Sequence, residues 1–329
     1  MHADYSPVLI LLLLDYAISA FIKLGVTDLG FAQYCTMLRF GTDRKRQQLD
    51  VSLNTPEISV LDADCNNTYG KCQKFCQNDE FCHLFCSPMC CINPETRSKQ
   101  CAGNRASDYM HNSTSFKVLN EYWTSAEDHA SGIWVEDEVH VGDVDPEVET
   151  SAGKITFALK VVNSLYLDPD AIRRGDLGFG RHPTKRSIVQ VIYDKGIIDR
   201  PVLTIAYHLR YSPYYILGEH SESYCGAEKH KVQALGNREW MFDAISATFL
   251  NFKSHRRKFR MILSSDGVIV NVSYFLLPPS NKTVFPASAV DPNPDGVEWI
   301  VGRMIYLNYC AFFDYDENSI SFSKLTPDW

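Results

Sequence analysis

The chain has 329 residues, of which 45% are hydrophobic, 22% charged and 12% aromatic, enough for two domains with real cores and too apolar for large-scale disorder. Its 40 acidic and 32 basic side chains give a formal charge of −8. That balance argues against a general binder of nucleic acid or other polyanions.

Residues 7–14 form an unbroken apolar run that Asp15 interrupts, followed by the small-residue stretch Ala17-Ile18-Ser19-Ala20. A stable membrane span needs roughly 20 apolar residues. The length suits the apolar region of a signal peptide over 1–20 with cleavage after Ala20, although His2 and Asp4 stand where Lys or Arg is usual.

Downstream, segments rich in β-branched and aromatic residues and bounded by Gly, Pro, Asn or Asp predict strands. They cover 34–40, 48–53, 133–141, 154–162, 202–209 and 268–277. One helix is expected over 185–195, with Ile188, Val189, Val191 and Ile192 on its apolar side and Gly196 past its end. The basic run His255-Arg256-Arg257-Lys258 reads as a solvated hairpin tip. The class expected is mainly β.

Eight of the eleven cysteines fall between Cys65 and Cys101, which favours an oxidising, secretory route. Cys72-x3-Cys76 and Cys82-x3-Cys86 each share a helical face, so two short antiparallel helices stapled by Cys72–Cys86 and Cys76–Cys82 are expected. Cys65, Cys90, Cys91 and Cys101 would supply two more bridges. These spacings are not those of zinc knuckles, and neither a metal nor a cofactor is expected. Asn66, Asn112, Asn271 and Asn281 each begin an Asn-x-Ser/Thr glycosylation acceptor, in keeping with export to the extracellular space or to lysosomes.

Near the C-terminus, Glu298-Trp299-Ile300-Val301-Gly302-Arg303, Tyr309-Cys310-Ala311-Phe312-Phe313-Asp314 and Ile320-Ser321-Phe322 follow one another. Upstream stand Gly175-Asp176-Leu177-Gly178-Phe179-Gly180, the helix at 185–195 and Ile198-Asp199-Arg200-Pro201-Val202; Tyr34 to Gly41-Thr42 opens the series. In this order the blocks resemble the pepsin-like aspartic peptidases over about 34–329. The resemblance implies a bilobal acid-protease fold, with an N-terminal lobe over 21–209 carrying a disulfide-rich insertion at 65–101. A C-terminal lobe over 210–329 would be shortened. It also implies that the first and last strands share an interlobe sheet, where Cys35 and Cys310 could pair and Cys225 would be left over.

In that family each lobe supplies an Asp-Thr-Gly loop, and two carboxylates share a proton and activate one water. Here Asn54-Thr55-Pro56-Glu57 stands at the first loop, so Asn54 takes the aspartate position. An amide has no useful basicity, and Pro56 removes the N–H and the conformational freedom of the glycine. Glu57 is expected to point away. After the strand led by Trp240, the register that keeps Gly267 as the glycine puts Ser265 at the second aspartate, with Asp266 as the residual acidic candidate. Tyr122, Trp123 and Ser125 occupy the flap region, without the family's flap tyrosine in place. The resemblance therefore implies a pepsin-like homologue lacking its catalytic dyad and retaining an interlobe cleft for a peptide or protein ligand. The alternatives are an active aspartic endopeptidase using Asp266 with Glu57 or Asp50, and a poorly folding divergent member.

Overall fold

The computed structural model describes residues 20–28, 34–65, 68, 70, 72–93, 95, 109–125, 130–142, 149–163, 175–207, 214–218, 225–249, 252–261, 272–276, 283–286, 288–289, 299–301, 305–306 and 309–326. Strand is the main element, as expected. The first part holds β1 (Ile22–Asp28), β2 (Tyr34–Phe40), β3 (Lys45–Ser52) and β4 (Ile58–Leu61), then β5 (Lys117–Ser125), β6 (Ala130–Gly142), β7 (Glu149–Asn163) and β8 (Gly175–Gly178). Strand β3 alternates buried and half-buried positions, the period-2 pattern of a strand with one face on the core.

Six of these strands close into a ring. β2 pairs with β3, β3 with β8, β8 with β4, β4 with β7, β7 with β6, and β6 returns to β2 through Arg39↔His140 and Phe40↔Val139. Closure removes the exposed edges of an open sheet. The interior is filled by Leu38, Phe40, Leu49, Val60, Val135, Phe157, Leu159 and Leu177, and Phe40 meets Phe157 edge to face at 5.0 Å. Strand β5 hangs on the outer side of β6 as the last strand of the sheet.

Beyond the ring the sheet continues from β1 into β10 (Tyr214–Leu217), β9 (Val202–Ala206), β18 (Tyr309–Asp314), β19 (Ser319–Lys324) and β11 (His230–Gln233). Every residue of β9 is buried, as befits a central strand. A second sheet holds β12 (Met241–Phe249), β13 (Phe252–Met261), β14 (Val272–Leu276), β15 (Thr283–Pro286), β16 (Ser288–Ala289) and β17 (Trp299–Val301). The expected lobe boundary at 209/210 falls between β9 and β10, which are neighbours in the first sheet.

Three expectations are corrected. The first strand does not begin at 34: residues 22–28 form β1, because Ile22, Leu24 and Val26 put alternate apolar side chains into the core. His255–Lys258 lies within β13 rather than at a tip; the hairpin turns at Phe249↔Phe252. Over 72–93 the cysteine cluster contains not two helices but three short elements: a 3-10 turn at Lys74–Gln77, helix α1 (Asp79–Phe85) and a 3-10 turn at Pro88–Cys91. The third folds back on the first two, so the bridges are Cys72–Cys90, Cys76–Cys86 and Cys82–Cys91 instead of Cys72–Cys86 and Cys76–Cys82. Cys65 is also a disulfide cysteine, and Cys101 lies outside the described residues.

A fourth bridge joins Cys225 to Cys310, so the implied Cys35–Cys310 pair is not formed. The reason is distance across the sheet: β9, β10 and β1 lie between β18 and β2. Four strand spacings amount to roughly 19 Å, against a Cα separation below about 7 Å for a disulfide. Cys35 is a buried thiol facing the Thr27 carbonyl and the Gln48 amide.

The helix expected over 185–195 is α2 (Ile188–Asp194). At its start Ser187 donates its N–H to Gln190 Oε1 at 3.2 Å, and Gly196 at φ 68° closes it in the left-handed region. No helix among the described residues is long and apolar enough to cross a membrane. These four disulfides among the described residues are compatible with an extracellular protein. The Cys225–Cys310 bridge spans 85 residues of chain, and Cys310→Ser is expected to lower stability by about 2–5 kcal/mol. Chemical denaturation of the variant checks this; an unchanged midpoint would show that the bridge contributes nothing.

Candidate functional site

The turn after β3 is shaped by close backbone approach. Gly178 donates its N–H to the Glu57 carbonyl at 3.0 Å, Gly180 to Thr55 at 2.8 Å, and Phe179 to Ser52 at 2.7 Å. A Cβ on Gly178 would lie 2.3 Å from the Thr55 oxygen, and one on Gly180 would lie 2.8 Å from the backbone of Asn54 and Thr55. Only glycine allows these contacts. The glycine-rich block therefore acts as the anvil on which Asn54–Glu57 is formed.

The same block is gripped from the other half of the chain. The Phe179 carbonyl accepts from the Trp240 indole N–H at 2.9 Å and from the Tyr315 hydroxyl at 2.7 Å. Trp240 packs against Phe313 and Tyr315 at centroid distances of 5.1 and 5.0 Å. Burial raises the pKa of Tyr315, keeping the phenol protonated as the donor.

Above this floor lies a cavity of about 650 Å³. Asn54, Thr55, Pro56, Glu57 and Ser59 line one side, and Trp123, Thr124 and Ser125 of β5 line another. Arg181, His182 and Lys185 follow the glycine block, and Gly236 to Glu239 with Met241 complete the wall. Asn54, Trp123 and Ser125 thus line one cavity. Tyr122 does not: it is 48% exposed, and its hydroxyl lies 3.9 Å from Cys90 Sγ, facing the disulfide-rich segment. Glu57, expected to point away, lines the cavity, because the tight turn ending at Pro56 re-aims the following side chain. Its carboxylate is ion-paired with the Lys185 ammonium, and both residues also line a neighbouring cavity of about 350 Å³. Asp50 pairs with Cys35 and Asp176 in the sheet and is not part of the wall. Ser265 and Asp266 lie outside the described residues, as do Asn66, Asn271 and Asn281; Asn112 is exposed.

The polar atoms here are unusual. Asn54 Oδ1 is buried with no hydrogen-bond partner. Ser59 Oγ donates to Asp176 at 2.8 Å, and Lys160, only 2% exposed, forms an ion pair with the same carboxylate while lying 5.9 Å from the Trp123 ring centroid. Arg181 was not singled out by sequence reasoning. It stands one residue past the glycine block, and only its position could have flagged it. Its side chain donates from Nε to Glu239 O at 3.2 Å and from Nη2 to Leu235 O at 2.6 Å, and the guanidinium covers Trp240 at 4.7 Å. Burial lowers its pKa to about 10, and burial together with the nearby Lys185 charge lowers that of His182.

Cys76, Cys82 and Cys86 bring their sulfur atoms within 4.8 Å of one another. Each is in a disulfide and offers no thiolate to a metal. A scan of the chain against protein-family models finds no match, and a search of curated proteins finds no significant relative.

The Lys160–Asp176 pair, which lies behind the lining residue Ser59, gives a test of the polar layer under the cavity. Lys160→Met alone strands a carboxylate and is expected to cost about 2–4 kcal/mol, while Lys160→Met with Asp176→Leu recovers most of it. Denaturant midpoints decide; a double variant as unstable as the single would refute the pairing.

Proposed function

We propose that the chain is a pepsin-like aspartic peptidase homologue that has lost acid proteolysis and uses its cleft to bind a peptide or protein segment. The observation that carries this reading is the chemistry of the cavity floor. The residue at the expected aspartate position, Asn54, lines a cavity large enough for several peptide residues, opposite the flap-region residues Trp123 and Ser125. A neutral amide there neither shares a proton with a second carboxylate nor takes one from water.

Glu57 does not restore the dyad. It lies in the wall rather than at the Asn54 position, and Lys185 occupies its carboxylate. On the pepsin-like register the second loop contributes Ser265, so one carboxylate at most, Asp266, would be near where two are needed. What is left of the site is shape, backbone donors and acceptors, and a flanking strand, β5, at the end of its sheet. Such a strand suits an extended ligand, which adds to it through main-chain hydrogen bonds.

The purified protein is expected to leave acid-denatured globin intact between pH 2 and 6, with or without pepstatin. Asn54→Asp alone is expected not to confer cleavage, because the second carboxylate is still missing. Pepstatin-sensitive cleavage by the wild-type chain would contradict the reading.

A further inference from the structure

Among the cations lining the cavity, Arg181 is the buried one. It is 6% exposed, and three of its five N–H groups are used on backbone carbonyls, Nε on Glu239 and Nη2 on Leu235 and Glu239. Both donors on Nη1 are buried with no partner. Among the described residues no carboxylate is paired with it: the influences on its charge are burial and Tyr315. Lys185, by contrast, is matched by Glu57.

A buried guanidinium without a counter-ion is costly, and the cost falls when an anion arrives. Unused donors that are already dehydrated favour the incoming group further, since little solvation is lost on binding. We infer that the cavity takes its peptide through a carboxylate held by Arg181 Nη1. The inference rests on the peptide-binding reading above and adds the class of ligand. Asn237 and Arg238, exposed members of the lining in the turn that Arg181 grips, supply the approach, and Arg238 adds a second positive charge. His182 is held toward its neutral form and so offers a ring N–H without a further charge. A carboxylate can come from an acidic side chain or from a chain terminus; the chemistry at Nη1 is the same.

Three capped pentapeptides of otherwise identical sequence separate the cases by calorimetric titration at pH 7. One has a central Glu and a C-terminal amide, one a central Gln and a C-terminal amide, and one a central Gln and a C-terminal carboxylate. At least one carboxylate peptide is expected to bind about tenfold or more tightly than the doubly neutral one. Which of the two does so identifies the source. In Arg181→Gln the ratio of carboxylate-peptide to neutral-peptide affinity is expected to fall to about one, whatever happens to overall affinity. Should Arg181→Gln not fold, Arg181→Lys is used instead; it keeps the charge, loses Nη1 and is expected to lose most of the preference. Equal binding of all three peptides to the wild type overturns the carboxylate inference and leaves the cleft reading intact. No binding of any overturns both. A preference that survives in the Arg181 variant overturns the assignment to Arg181.

Discussion

The structure turns on one carbonyl and the two glycines beside it. Gly178 and Gly180 let the backbone of 178–180 press against Thr55 and Glu57 at distances no side chain would permit. Between them, the Phe179 oxygen receives both Trp240 and Tyr315. A loop from the closed ring of strands, an aromatic from the entry to the second sheet and a phenol from the last hairpin are fixed to one point. A buried carbonyl has two lone pairs to satisfy, and here both are used by donors from sequence-distant segments. The cavity exists because this junction holds its floor and its far wall in register.

Charged side chains gather around that junction, with Lys160 and Arg181 buried and Lys185 partly exposed. Lys160 with Asp176 and Lys185 with Glu57 are internally matched; Arg181 is matched only by carbonyls and a ring. Interiors tolerate matched pairs near break-even and penalise unmatched ones. Strain of this kind concentrates at sites that receive a ligand, since a partner can relieve what the fold leaves open. On the proposed reading the cavity recognises a negative group, whereas a pair of acids sharing a proton would need the opposite electrostatics. That difference separates the proposed role from acid proteolysis more sharply than the loss of Asn54's charge alone.

Much of the fold was legible in sequence. Strand β2 falls where its alternation predicts, Trp240 leads directly into β12, and the capping residues of α2 together with Gly196 mark its ends. The cysteine pairing was not legible. Spacing reports which cysteines share a helical face, but the third turn at Pro88–Cys91 decides which sulfur atoms meet. Strand β1 was obscured by its position just after an apolar leader-like run, although Ile22, Leu24 and Val26 alternate. Glu57 was misjudged because strand alternation was carried through a turn that Pro56 had already broken. Arg181 carried no local pattern; its setting arises from tertiary contacts with Leu235 and Glu239, 54 and 58 residues away, and with Trp240 just beyond them.

The central claim is that two degenerate loops, one from each half of the chain, face each other across this cavity in the pepsin-like manner. The most direct measurement introduces Asn54→Cys with Ser265→Cys and asks, by peptide mapping of the folded protein, whether a short bifunctional maleimide links the two positions. The account predicts an intramolecular link between 54 and 265 in the native protein that is lost on unfolding. Efficient modification of both sites without any link between them would contradict it.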